Sequence, residues 1–293
     1  MKSKRKIWLG VGAFVVAGTG AVGASGPLSA AAAERMRSLA GFASNRAIPH
    51  LASGAFVLAQ HADHGKGAGE GGEQKGLENL PPELAFAVRI ALVRGHLLVG
   101  DQLVKQHEWN AALPHFLHPT EEIYPDIKDR IAEYQVPQFD AALAALADAV
   151  KANKGGEAYI RALKPVNDAL AAADSAIKEK QGEGWPGFVM EVAAEAIKAA
   201  ATEYGNAIVG GRIAKPVEYQ DARGFIWEAA RMIESVAANL QQKDAAALKE
   251  VRARLADLKK VFPAVMPPRS PVKNHAAVLA IVSRLELAGV RLM

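Results

Sequence analysis

From residue 83 to residue 292 apolar side chains return at intervals near 3.6, and that rhythm restricts the chain to helices. In ELAFAVRIALVRGHLLVGDQLVKQ (83–106) they share one broad face, while Arg89, Arg94 and Lys105 mark another. The segments 139–153, 158–180, 188–209, 217–241, 244–262 and 272–292 behave alike, and Pro165 predicts a kink in the second of these. No stretch alternates with a period of two between hairpin turns, so the expected fold is an all-α helical bundle. Composition agrees: half of the residues are hydrophobic, only 6% are aromatic, and alanine, the best intrinsic helix former, is abundant.

A weak internal repeat emerges when Pro119 is set against Pro216. HPTEEIYPDIKDRI then lies over KPVEYQDARGFIWE, with Glu121 on Glu218. A long helical segment precedes each, and an Ala/Leu-rich one follows. Two related helical units with pseudo-twofold symmetry would explain this; chance similarity between alanine-rich helices is the other explanation.

The first 33 residues read as a signal peptide. Lys2, Lys4, Arg5 and Lys6 precede the apolar run 7–24, and LSAAAAE (28–34) offers small residues for cleavage. An uncleaved membrane anchor is the alternative, because the run approaches spanning length. Residues 34–76 form an N-terminal segment and a linker; GKGAGEGGEQKG (65–76) holds six glycines in twelve residues. The helical bundle domain is expected over 77–293, its first helix opened by Pro81 and Pro82. Loss of the four cationic residues of the leader takes the formal net charge from +4 to about zero, so the basic pI gives no ground for nucleic-acid binding.

Candidate metal chemistry gathers in PHFLHPTEEIY (114–124). His115, His118, Glu121 and Glu122 lie within eight positions, and Pro119 suggests a helix start beside His118. His118 and Glu121 are three apart, the spacing at which helix neighbours meet. Imidazole nitrogen and carboxylate oxygen suit iron, zinc or copper. His96, on a mostly apolar surface, offers a ligand from a facing helix. The segment 203–225 supplies a carboxylate-rich counterpart in which Glu203 and Glu218 could complete the sphere. The expected metal residues are therefore His96, His118, Glu121, Glu122, Glu203 and Glu218. Each also has a structural reading: a core histidine for His96, carboxylates placed by the helix dipole for Glu121 and Glu122, a salt-bridged face for the second segment.

The chain has no cysteine, which excludes disulfides, thiolate metal sites and a cysteine nucleophile. Gly-x-Ser-x-Gly, His-Glu-x-x-His and a dinucleotide loop are also missing, so no enzyme is expected. IVGGRI (208–213) resembles a reverse turn and lacks the lysine of a phosphate loop.

The stretches GHLLVGDQLVKQHEWNAALPHFLHP and EYGNAIVGGRIAKPVEYQDARGF carry a family resemblance. The second resembles the helical extracytoplasmic region that accompanies Ftr-type iron permeases, in which Glu-Tyr-Gln stretches join paired helices. The plan is similar to the imelysin-like group of exported duplicated bundles with a His-x-x-Glu element. Over about 85–230 the resemblance places His118 and Glu121 as the His-x-x-Glu, and Glu218, Tyr219 and Gln220 as the other element. It implies a periplasmic helical protein that binds iron, or alternatively copper or zinc, for uptake or storage, partnered by a membrane metal transporter. The chain lacks the permease's membrane bundle and Arg-Glu-x-x-Glu motif, and the imelysin Gly-x-His-x-x-Glu. The alternative function is a periplasmic scaffold or interaction protein without metal.

Overall fold

The computed structural model describes residues 76–293. The expected signal peptide (1–33) and all but the last residue of the linker region (34–76) lie outside the described residues. A 3₁₀ turn, Leu77–Asn79, leads into α1 (Pro82–Lys105), opened by a proline whose missing N–H costs nothing in a first turn. Two short helices follow, α2 (Trp109–Ala112) and α3 (Pro114–His118). A π-helical turn, Pro119–Ile123, carries the chain into α4 (Tyr124–Glu133). Next come α5 (Asp140–Lys151), α6 (Gly156–Gln181), a 3₁₀ turn (Gly182–Gly184) and α7 (Trp185–Ala207). The remaining helices are α8 (Pro216–Ser235), α9 (Ala237–Lys259) and α10 (His275–Gly289).

The architecture is an all-α bundle, with one small addition. Ile208–Val209 and Arg212–Ile213 pair as an antiparallel ribbon across Gly210–Gly211. Both glycines have positive φ, which the tight turn needs and glycine adopts without strain. The reverse turn expected there is present, and the ribbon adds a two-residue strand on either side of it. The long segment 217–241 also divides, at Val236 between α8 and α9. Within α9 the backbone leaves helical geometry at Asp244, whose side chain accepts a hydrogen bond from Ala247 N at 2.9 Å. Asp244 thus caps a new helical run, at the start that the sequence predicts. By contrast α6 continues through Pro165 as one helix.

The order of elements repeats. A long helix (α1, α7) is followed by a proline-opened segment (α3–α4, α8) and two further helices (α5–α6, α9–α10). In each half the long helix packs on the proline-opened segment, and the last two helices pack on each other. The halves meet where α1 lies against α7 and α8. Because α1 is enclosed on several sides, Phe86, Val88, Leu92, Val93, Val99 and Leu103 are all essentially inaccessible. Each such side chain contributes about 2 kcal/mol on burial, more than exposed pairs such as Arg161–Glu157, so apolar faces hold the bundle together.

A polar knot around the buried Glu228 ties α1, α6 and α8. Arg94 Nη2 meets Asp174 Oδ2 at 2.5 Å, and Arg231 grips both oxygens of Glu228 at 2.6 and 2.7 Å. Burial pushes the Glu228 carboxyl up, against the opposing pull of Arg231 and Arg94. A carboxyl raised in the folded state contributes stability fully below its unfolded value, near 4.3, and loses it as pH rises through the folded value. Urea unfolding of Glu228→Gln should therefore gain on the wild type between about pH 4.5 and 7. A constant difference across that range would contradict this. Asn274 caps α10 by accepting from Ala277 N at 2.8 Å. Asn274→Ala should cost about 1 kcal/mol, read as a lowered urea midpoint at unchanged slope.

Candidate metal centre

Two glycines on α1 determine how closely the other helices approach. A Cβ at Gly95 would stand 2.5 Å from Phe225 Cδ1, and one at Gly224 would collide with the carbonyl oxygen of Gly95. Gly95 and Gly224 are thus the crossing point of α1 and α8, where backbones touch because neither carries a side chain. One turn along α1, a Cβ at Gly100 would lie 2.7 Å from the Phe116 ring and 3.3 Å from His115 Cβ. That contact admits α3. His96 lies between the two approaches, so α8 and α3 are both drawn against its ring.

The result is a cluster of three imidazoles around one carboxylate. His96 Nδ1 and His115 Nδ1 meet Asp221 Oδ1 at 2.7 and 2.8 Å, and His118 Nδ1 lies 3.7 Å from Asp221 Oδ2. The His96 ring centroid is 5.4 Å from that of His118, edge to face, and 6.2 Å from that of His115. His96, His115 and Asp221 are buried, whereas the side chain of His118 keeps 17% of its surface open. His115 is held at both ends, since Nε2 faces Gln220 Oε1 at 3.0 Å. Gln220 in turn directs Nε2 to Met266 Sδ at 3.6 Å. Phe225 closes the far side of His96, edge to face at 5.0 Å.

Burial alone would push the Asp221 carboxyl up. The charges of His96 and His115, with hydrogen bonds from His115 and His118, outweigh burial and hold it well below the usual carboxylate range. For His118 burial pulls down, but the hydrogen bond and charge of Asp221 win, aided by Glu122 and opposed by His96. His118 is thereby raised above its ordinary value. A fully desolvated carboxylate needs positive charge beside it. Here three imidazoles surround the carboxylate, and a cation could take its place among them.

One potential ligand atom each from His96, His115 and Asp221 lies within 4.8 Å of the others, close to the roughly 4.4 Å that two donors bonded to one ion at about 2.2 Å can span, so a small inward shift of the side chains would complete the site. Among the described residues this is the group of three histidines, aspartates or glutamates so placed. The donors fit an iron, zinc or copper ion, and the partly open His118 gives the cluster its outlet to solvent.

Of the sequence-derived residues, His96 and His118 are in this cluster and Glu122 borders it, half-buried and within electrostatic reach of His118. Glu121 is exposed. The reason is the π-helical turn: Pro119 does not open a new helix but continues α3 through a widened turn, which brings i+4 rather than i+3 beside His118. Glu218 faces Lys215 Nζ at 3.0 Å, and the buried Glu203 has Asn206 Nδ2 at 3.5 Å. The carboxylate that the second segment contributes is Asp221. His115, Asp221 and Gln220 complete the arrangement, and the glycines at 95, 100 and 224 are the sequence signal for where helices touch. Tyr124 is structural: its hydroxyl bonds Gln138 and accepts from Phe139 N at 3.2 Å.

Residues 179–289 match the family described as the iron permease-associated 4-helix bundle domain. The match covers α7 to α10, including Gln220 and Asp221, and so bears out the relation to Ftr-type iron permease regions. No curated protein and no solved structure matches the chain. Among the described residues no helix is long and apolar enough to cross a membrane.

Proposed function

We propose that this is an exported, periplasmic protein that binds a transition-metal ion, iron foremost, at His96, His115, His118 and Asp221, and delivers it to a membrane iron transporter without turnover. One observation carries the reading: a carboxylate at 2% exposure, encircled by three imidazoles and borne on the segment that matches an iron permease-associated domain. The ion is cargo. Nitrogen and oxygen donors without thiolate leave iron, copper and zinc as candidates, and the family match favours iron.

In the metal-free state His115 Nδ1 is hydrogen-bonded to Asp221 Oδ1, and His96 Nδ1 lies 2.7 Å from the same oxygen. An incoming ion displaces the proton between His115 and the carboxylate, and Asp221 changes partner from imidazole to metal. Gln220 keeps the His115 ring from turning away, as outer partners of metal ligands do. The partly open His118, with Glu122 beside it, gives the ion a route from solvent.

Calorimetric titration with Fe²⁺ under anaerobic conditions, and with Zn²⁺ and Cu²⁺, tests the proposal. One ion per chain is expected, with affinity falling as pH is lowered from about 7.5 to 5.5 because histidine ligands must shed protons. Heat that is absent for all three ions, or independent of pH, would favour the metal-free scaffold, in which the same cluster serves as a buried cross-link between α1, α3 and α8.

A further inference from the structure

A groove between α8 and α9 shares no residue with the metal centre. Its volume is about 400 Å³, within the range of small-ligand pockets. Trp227 and Leu255 contribute to an apolar floor, and Arg231, Arg252 and Lys259 stand around it with a single carboxylate, Glu234.

The groove's charges are engaged unevenly. Arg252 spends Nε and Nη2 on the two oxygens of Glu234, at 2.7 and 2.6 Å. Arg231 spends the same edge on Glu228, which is buried. Each guanidinium therefore retains Nη1, with two N–H donors, for another acceptor. Lys259 meets no carboxylate within ion-pair distance among the described residues. Its ammonium lies 5.4 Å from the centre of the Trp227 ring, and the Arg223 guanidinium packs on that ring at 4.1 Å. Arg223 also lacks a carboxylate partner; it donates to Gln102 Oε1 at 2.5 Å. Arg223 and Lys259 thus flank one indole, and Arg231 and Arg252 line the same groove, where the one carboxylate, Glu234, is already held by Arg252. Cations gathered along one groove repel one another unless an anion joins them, and a planar guanidinium fork matches a carboxylate.

We propose that this groove binds a small organic polycarboxylate. Its carboxylates take the Nη1 groups of Arg231 and Arg252 and the ammonium of Lys259, while its carbon skeleton lies on Leu255 and Trp227. The apolar floor is the reason an organic anion is favoured over inorganic phosphate.

The test uses tryptophan fluorescence of the purified protein titrated with citrate, and with phosphate and acetate at matched ionic strength. Citrate should change the emission saturably, and the change should vanish in Trp227→Phe, which leaves the other tryptophans in place. Arg252→Gln and Lys259→Gln should each weaken binding about tenfold, the loss expected for one charge-assisted hydrogen bond. Ala256→Glu introduces a negative charge at an exposed, groove-lining position of α9 and should abolish the response. Phosphate binding as tightly as citrate would overturn the organic-ligand assignment. So would the absence of a citrate response below about 10 mM, an affinity too weak to be specific, or citrate binding unchanged in all three charge variants. Metal titration of the same variants separates the two sites, since none of these substitutions touches His96, His115, His118 or Asp221.

Discussion

Replacing Asp221 by asparagine is expected to lower metal affinity by at least about a hundredfold, because loss of even a supporting partner of a metal ligand costs 10–100-fold. The substitution is nearly isosteric and keeps an oxygen in place. What it removes is the charge, and with it the reason for three imidazoles to gather around one buried point. Chelator-competition titration reads the effect directly. The nearby variants Glu218→Gln and Glu121→Gln should leave affinity unchanged, because Glu218 is paired with Lys215 and Glu121 is exposed. An Asp221→Asn protein that binds as tightly as the wild type would exclude Asp221 from the site.

The second large effect belongs to Gly224→Ala. The added methyl meets the backbone oxygen of Gly95, which no rotamer change can move. The helices must separate, and overpacking of this kind costs about 1–3 kcal/mol. Metal affinity should fall with stability, since Asp221 lies on α8 one turn before the crossing and His96 immediately follows Gly95. Gly95→Ala should be milder in stability, because its nearest clash is with the ring edge of Phe225 at 2.5 Å, and a ring can turn. Denaturant unfolding of both variants gives the order. Equal stabilities for Gly224→Ala and the wild type would mean that α1 and α8 do not touch as described.

The helical fold was legible because its signal is repetitive: a 3.6-residue rhythm sustained over two hundred positions leaves few alternatives. The ribbon at 208–213 was not, because strands of two residues are too short to alternate visibly. The division at Val236 escaped for a related reason, since Val236 is as apolar as its helical neighbours and interrupts no pattern.

The site was legible in its chemistry and less so in its partners. Sequence places His96 and His118 among ligands and seeks a carboxylate in the 203–225 segment. Which carboxylate depends on the rotation of α8 about its axis, and Glu218 and Asp221 lie one turn apart. Alignment of the two halves favoured Glu218. The crossing at Gly95 and Gly224 favours Asp221, and glycines adjacent to His96 and three residues after Asp221 were the available clue. At Glu121 the obstacle was backbone geometry: His-x-x-Glu implies an α-helical neighbour relation, and the π-helical turn after Pro119 rotates the pair apart.

The most direct test of the account is elemental analysis of the desalted protein after exposure to Fe, Cu and Zn, compared with a His115→Ala/Asp221→Ala variant and a Glu121→Ala/Glu218→Ala variant. The account predicts one equivalent of metal, iron foremost, retained by the wild type and by the glutamate variant, and lost from the histidine–aspartate variant. Metal retained by the histidine–aspartate variant, or by none of the three proteins, would contradict it.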